Sequence, residues 1–157
     1  MSATRAVVLA RGLGKRMRAA DPGAVLDAAQ AAAADTGMKA MVPVAGRPLL
    51  DYILSGLADA GYTEAILVIG PENDTVRQRY GPYGPAKPTR IRLMYAIQTK
   101  ATGTADAVLA AEMMVAGSPF VVLNGDNYYP VSVLADLRQQ APPALPAFEV
   151  SASTETG

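Results

Sequence analysis

Asn124-Gly125-Asp126 sets a carboxylate directly after an apolar run, Pro119-Phe120-Val121-Val122-Leu123. A short, continuous apolar run of this kind reads as a strand buried on both faces of a parallel sheet. A chain leaving it through Asn-Gly must turn, so Asp126 projects from the carboxyl end of the sheet, where open α/β sheets bind ligands. The chain contains no histidine and no cysteine. A lone acid in such a chain suits a hard divalent cation such as Mg²⁺. The competing use is a loop aspartate that caps the next helix.

A second group follows the first predicted strand, Arg5-Ala6-Val7-Val8-Leu9-Ala10, in the run Arg11-Gly12-Leu13-Gly14-Lys15-Arg16-Met17-Arg18. Gly12 and Gly14 permit a tight turn and leave no side chain to block an anion. Backbone N–H groups then point at phosphate oxygens, and Arg16 offers a bidentate guanidinium to the same charge. The run is not a P-loop, which would need glycine and Ser or Thr where Leu9 and Arg16 stand. Nor is it a dinucleotide fingerprint, whose third glycine is replaced by Met17. A solvated basic turn is the plain alternative.

Two further segments carry polar groups in suggestive places. Lys39 precedes an apolar, proline-bounded stretch, Ala40-Met41-Val42-Pro43; taken singly, such a lysine is an ordinary solvated residue. Gln98 opens the loop Gln98-Thr99-Lys100-Ala101-Thr102-Gly103. A glutamine amide has a donor side and an acceptor side, enough to read the edge of a base, and Gly103 permits close backbone approach. The glycine loop, the Gln98 loop and Asp126 each follow a predicted strand, so all emerge at one edge of a parallel sheet. The ligand implied by that convergence is a nucleoside triphosphate with Mg²⁺.

Composition narrows the field. The chain has 157 residues, half of them apolar and 18% charged, which is one globular domain's worth. Fourteen basic and fourteen acidic residues cancel, which argues against a whole-surface affinity for nucleic acid or membrane. Without cysteine or histidine there is no disulfide, no thiolate or His-ligated zinc site and no Ser-His-Asp triad. No signal peptide or membrane-length apolar segment is apparent, so a cytoplasmic protein is expected.

The elements that must hold these residues alternate strand and helix. An alanine-rich helix is expected over 19–34, begun by Asp21 and Pro22, then an irregular, partly extended link over 41–46. Pro48 opens a helix whose Leu50, Ile53, Leu54, Leu57 and Ala58 share one face, ended by Gly61. Strands are expected over 64–69, 90–97 and 119–123, and helices over 75–80, 104–115 and 131–140. The remainder is proline-rich and then polar, with at most one short strand over 147–150. Such alternation implies a doubly wound parallel sheet with right-handed crossovers.

In order and spacing, residues 7–17, 39–50, Gln98 with 103–107, and 121–127 resemble the sugar-1-phosphate nucleotidyltransferases, also called nucleoside-diphosphate-sugar pyrophosphorylases. The resemblance implies an α/β, Rossmann-like, doubly wound and mostly parallel sheet. Residues 1–140 would form the nucleotide-binding core, and 141–157 an irregular tail or the start of a missing C-terminal half. It implies that Arg16, Lys39 and Asp126 are catalytic, with Asp126 also the Mg²⁺ ligand. Leu9, Ala10, Gly12, Gly14, Gln98 and Gly103 would bind substrate. The implied partners are a nucleoside triphosphate, with UTP or dTTP slightly favoured, and a sugar-1-phosphate. A homo-oligomer is an open option.

The sequence also departs from the family pattern. Arg11 stands where a small residue is usual and Lys15 where threonine is usual, Met38 replaces a proline, and the link from Arg16 to Lys39 is long. Arg11 either adds a phosphate contact or crowds the loop. The second metal-binding aspartate expected of the family is not recognisable after Gln140. A nucleotide-binding regulatory or non-catalytic subunit is therefore the alternative to a transferase. A nicotinamide-dependent oxidoreductase ranks behind both.

Overall fold

A computed structural model of the chain describes residues 2–12 and 38–147. Gly14, Lys15, Arg16 and the helix expected over 19–34 lie outside the described residues, as does all of the expected 147–150 strand except Ala147. In chain order, strand β1 (Arg5–Leu9) is followed by a 3-10 turn (Lys39–Met41), short strands β2 (Pro43–Val44) and β3 (Arg47–Pro48), and helix α1 (Leu49–Asp59). Then come β4 (Glu64–Ile69), α2 (Asp74–Tyr80), β5 (Arg92–Ile97), α3 (Thr104–Leu109), α4 (Glu112–Val115), β6 (Phe120–Asn124) and α5 (Val131–Gln139). From Gln140 to Ala147 there is neither helix nor strand. No helix among the described residues is long and apolar enough to cross a membrane.

The main sheet runs β5-β4-β1-β6, and every pairing in it is parallel. Parallel neighbours need helical crossovers, which cover both faces of the sheet. The apolar runs in β1 and β4 answer that requirement: Ala6, Val7, Val8 and the stretch Ala65-Ile66-Leu67-Val68-Ile69 are fully buried. On one face Val8, Leu67, Ile69 and Leu123 pack with Leu50, Ile53, Leu54 and Leu57 of α1 and Leu134 of α5. On the other, Val7, Ile66, Val68 and Ala96 pack with Ala107, Ala111 and Val115. The expected doubly wound sheet is thus present. Its strand order reverses at β1, since β4 and β5 are added on one side and β6 on the other. That places a topological switch point between the carboxyl ends of β1 and β6.

Helix α1 buries the first four predicted core positions, with Ala58 half-buried at the edge. Gly61, at φ +87°, ends it: Tyr62 N–H bonds the Leu57 carbonyl at 3.0 Å and Gly61 N–H bonds that of Ala58 at 3.1 Å. These bonds satisfy the last carbonyls of the helix.

Four expectations need correction. The run over 119–123 is not buried on both faces: β6 is an outer strand of the described sheet, with Val122 40% exposed and Phe120 and Val121 only partly buried. The link over 41–46 is a small hairpin, β2 antiparallel to β3, turned by Ala45 and Gly46 at φ +48° and +80°. Positive φ at both turn residues matches the right-handed twist of the strands. The single helix expected over 104–115 is two. Ala111 N–H bonds Val108 and Met114 N–H bonds Ala111, each three residues back, so the winding tightens between α3 and α4. The strand expected over 90–97 starts at Arg92, whose N–H bonds the Thr63 carbonyl at 2.9 Å.

At the amino edge of the sheet Arg5, Glu64 and Arg92 stand side by side in register. Glu64 accepts from Arg5 Nε at 2.5 Å and pairs with Arg92 Nη2 at 2.9 Å, tying β1, β4 and β5 together. The Arg5 hydrogen bond outweighs partial burial and, with the charges of Arg92 and Arg5, holds the Glu64 carboxyl below its ordinary value. A carboxyl depressed by folding stabilises the fold above its unfolded pKa, and that contribution disappears as pH falls through the folded one. Glu64→Gln is therefore expected to lower the melting temperature at neutral pH by roughly 3 °C, equivalent to roughly 1 kcal/mol. It should also flatten the fall in melting temperature as pH drops below about 5. Thermal unfolding across that range decides the matter; an unchanged pH slope would discard this role for Glu64.

Candidate functional site

The sheet's hydrogen bonding runs one residue past β1, β5 and β6 at its carboxyl edge. Ala10 N–H bonds the Val68 carbonyl at 2.9 Å, Gln98 N–H that of Ile69 at 2.9 Å, and Gly125 N–H that of Leu9 at 3.0 Å. The loops after β1, β5 and β6 therefore leave from one rim. Between them lies a cavity of about 360 Å³. Leu9, Ala10, Gly12, Lys39, Gln98, Gly103 and Asp126 all line it, so the structure brings these seven sequence-predicted residues together. Gly14 and Arg16 lie outside the described residues.

Backbone shape makes two of the three loop glycines lining the cavity, Gly125 and Gly103, specific. A Cβ on Gly125 would come within 2.7 Å of the Leu9 carbonyl oxygen and 3.2 Å of Ala10 Cα. Only a bare α-carbon lets the ends of β6 and β1 draw this close. Gly103 has open space around its α-carbon but sits at φ +130°, ψ −179°, a region reserved for glycine. Its carbonyl then receives the Ala107 N–H at 3.1 Å and starts α3.

Gln98 is 5% exposed. Its amide nitrogen donates to Asp106 Oδ2 at 2.8 Å and to the Gly103 carbonyl at 3.2 Å. Both partners are acceptors, so the nitrogen must face them and Oε1 is left as the side chain's acceptor. The hydrogen bonds from Gln98 and Thr102 hold the Asp106 carboxyl below its ordinary value against partial desolvation, and Arg11 adds a favourable charge. Asp106 is thus a site residue to which the sequence attached no role. The available signal was an acid in the first turn of the helix that Gly103 opens, eight residues after a buried glutamine.

Lys39 and Asp126 face each other across the cavity mouth, Nζ to Oδ2 3.3 Å. Lys39 is carried by the 3-10 turn that Ala40, only 3% exposed, anchors in the core. Asp126 is not a helix cap: α5 starts at Val131 behind Pro130 and has no side-chain cap. The competing structural use of this aspartate therefore drops out. Among the described residues no cluster of three or more Asp, Glu, His or Cys surrounds it. Arg11 also lines the cavity, with Nη1 donating to the Gln98 main-chain oxygen at 2.5 Å and Nε to Glu72 Oε1 at 3.3 Å.

Known proteins resemble this chain in sequence and in fold. The chain is similar to the bifunctional protein GlmU of Symbiobacterium thermophilum, with 29% identity over 130 residues, 81% of this chain and 22% of GlmU. To the glucose-1-phosphate thymidylyltransferase of Neisseria gonorrhoeae it is 32% identical over 104 residues, 66% of this chain and 35% of that enzyme. Its fold is similar to that of UDP-glucose pyrophosphorylase complexed with UDP-glucose, at a TM-score of 0.64 and 20% identity, over 87% of this chain and 52% of that one. The chain thus spans between about a fifth and about a third of the length of these curated relatives. The profile of the nucleotidyl transferase family matches residues 34–146, which include Lys39, Gln98, Gly103 and Asp126. The resemblance read from four ordered motifs is borne out, and the chain belongs to the nucleotidyl transferase family.

Proposed function

We propose that the complete protein transfers a nucleotidyl group from a nucleoside triphosphate to a sugar-1-phosphate, yielding a nucleoside-diphosphate sugar and pyrophosphate. The observation that carries this reading is the meeting of Lys39, Gln98, Gly103 and Asp126 in one cavity at the switch point of the sheet. The sugar-1-phosphate acceptor is taken from the named activity of the thymidylyltransferase relative. Residues 1–140 would serve as the nucleotide-binding core, with 141–157 as an irregular tail or the start of a C-terminal half.

The chemistry asks little of the side chains beyond charge and position. An oxygen of the sugar phosphate attacks the α-phosphorus in line; the bond to the β-phosphate bridging oxygen breaks, and its electron pair leaves with pyrophosphate. The nucleophile is already anionic, so no base has to remove a proton, which accords with a chain lacking histidine. In this reading Gly12 and Gly14 admit the triphosphate, and Arg16 holds the departing pyrophosphate. Lys39 brings its ammonium to the phosphates at the reacting centre. Before ligand arrives, the same ammonium neutralises Asp126 across the cavity mouth.

Mg²⁺ binds through one or two carboxylates together with substrate phosphates, and Asp126 alone meets that pattern for an ion arriving on a triphosphate. Asp126 would hold it, and the ion when bound would neutralise α-phosphate charge.

The amide geometry supports a base preference. With both Gln98 N–H groups committed to Asp106 and Gly103, only Oε1 is left to read a base. It accepts from the imide N–H of uracil or thymine. Cytosine and adenine present a ring-nitrogen acceptor at the corresponding edge, setting two lone pairs against each other. UTP and dTTP are therefore the donors preferred over CTP and ATP.

Two outcomes are expected of the complete protein. Asp126→Asn, Lys39→Ala and Arg16→Ala should each lower pyrophosphate release by about 100-fold or more, with little change in melting temperature. Near-normal turnover would remove that residue from the catalytic set. Wild-type protein that binds triphosphate yet releases no pyrophosphate with any sugar phosphate would instead be a nucleotide-binding subunit. By calorimetric titration, UTP and dTTP should bind about tenfold or more tightly than CTP; equal affinities would overturn the base preference.

A further inference from the structure

We propose that Arg11 is a positioning residue that sets base selectivity, by clamping the Gln98 main-chain carbonyl from the end of β1, across the end of β4. The inference rests on the nucleotide-binding reading above. Arg11 opens a basic run and, on its sequence, belongs with the phosphate-binding charges. Its side chain is bonded to Gln98 and Glu72. From the end of β1 it crosses the end of β4, where Glu72 follows Gly70 and Pro71, and reaches the end of β5. Only 12% of it is exposed, against 50% for Glu72. The guanidinium spends Nη1 on the Gln98 carbonyl oxygen and Nε on the Glu72 carboxylate.

That contact completes the fixing of Gln98. Its N–H is held by Ile69, its side-chain amide by Asp106 and Gly103, and its carbonyl by Arg11. Without the guanidinium, the carbonyl of a nearly buried residue loses its partner, and the peptide joining Gln98 to Thr99 is free to rotate in search of another. The Gln98 amide and the Gly103 carbonyl are bonded to each other, so both sides of the base pocket shift with that peptide. Arg11 thus secures the place of the group that reads the base, while the acceptors Asp106 and Gly103 set its sense.

A phosphate-binding arginine and a positioning arginine predict different results. The complete protein is titrated calorimetrically with UTP, CTP and inorganic tripolyphosphate, as wild type, Arg11→Met and Glu72→Gln. Arg11→Met keeps the aliphatic bulk and should narrow the UTP-to-CTP affinity ratio by about fivefold or more, with tripolyphosphate affinity within about twofold of wild type. Glu72→Gln alters an exposed side chain with little risk to the fold, and should shift the ratio in the same direction by less. A uniform loss across all three ligands in Arg11→Met would show a phosphate contact and overturn the proposal. So would an unchanged ratio in Arg11→Met, or, should that variant fail to fold, in Glu72→Gln. Wild type that binds UTP and CTP equally would overturn the base reading itself, and the proposal with it.

Discussion

Everything at the site depends on β1 being paired in parallel on both sides. Its neighbours β4 and β6 lie in register from Arg5 onward, and Ala6, Val7 and Val8 have no exposed surface. A strand so enclosed has little freedom to slip, because a one-residue shift would exchange its two buried faces. Fixing β1 fixes the rim. Leu9 and Ala10 end against Gly125 and Val68, and the loops that follow must leave from the same edge. The reversal of strand order beside β1 then opens the gap that the cavity occupies. The close approach at Gly125 is the visible cost of this arrangement, since no side chain fits between it and Leu9.

How much of this the sequence discloses depends on the range of the interaction concerned. The continuous apolar run 65–69 identifies a buried strand because parallel sheets bury both faces, whereas 120–123 reads the same way yet forms the outer strand β6, with Val122 40% exposed. The face of α1 is legible too, through the spacing of Leu50, Ile53, Leu54 and Leu57. Turn chemistry is partly legible. Gly61 announces the end of α1, yet the hairpin at Ala45 and Gly46 does not read as one, because alanine carries no signal for positive φ. The break between α3 and α4 has no marker either. Ala110 and Ala111 are good helix formers, and the tightening there lies in main-chain hydrogen bonds rather than in residue type.

The candidate site divides along the same line. Gly12, Lys39, Gln98, Gly103 and Asp126 are readable because each sits beside a predicted strand end or in an ordered motif. The partnerships among them are not. Nothing in a linear sequence ties Lys39 to Asp126, or Arg11 to Glu72 and Gln98, across separations of 87, 61 and 87 residues. Arg11 shows the difficulty most plainly. Counted among neighbouring basic residues it belongs to an anion site, whereas its side chain runs across the end of β4 to Gln98. The length of an arginine side chain lets its function lie several ångströms from its position in the chain.

The two cations described at the cavity also stand in different electrostatic positions, and this bears on how a triphosphate would be received. Lys39 and Asp126 are 30% and 40% exposed, so water and salt screen their attraction and either partner is released at little cost. Arg11 is largely withdrawn from water and holds a main-chain oxygen as well as a carboxylate, so displacing it would strand the carbonyl of a nearly buried residue. The exposed pair is suited to exchange partners when phosphate and cation arrive together. The enclosed guanidinium is suited to keep its partners throughout. A crevice built this way separates its tasks along one rim: labile charge over the β6 end, where bonds would be made and broken, and fixed hydrogen bonds over the β5 end, where a base would be recognised.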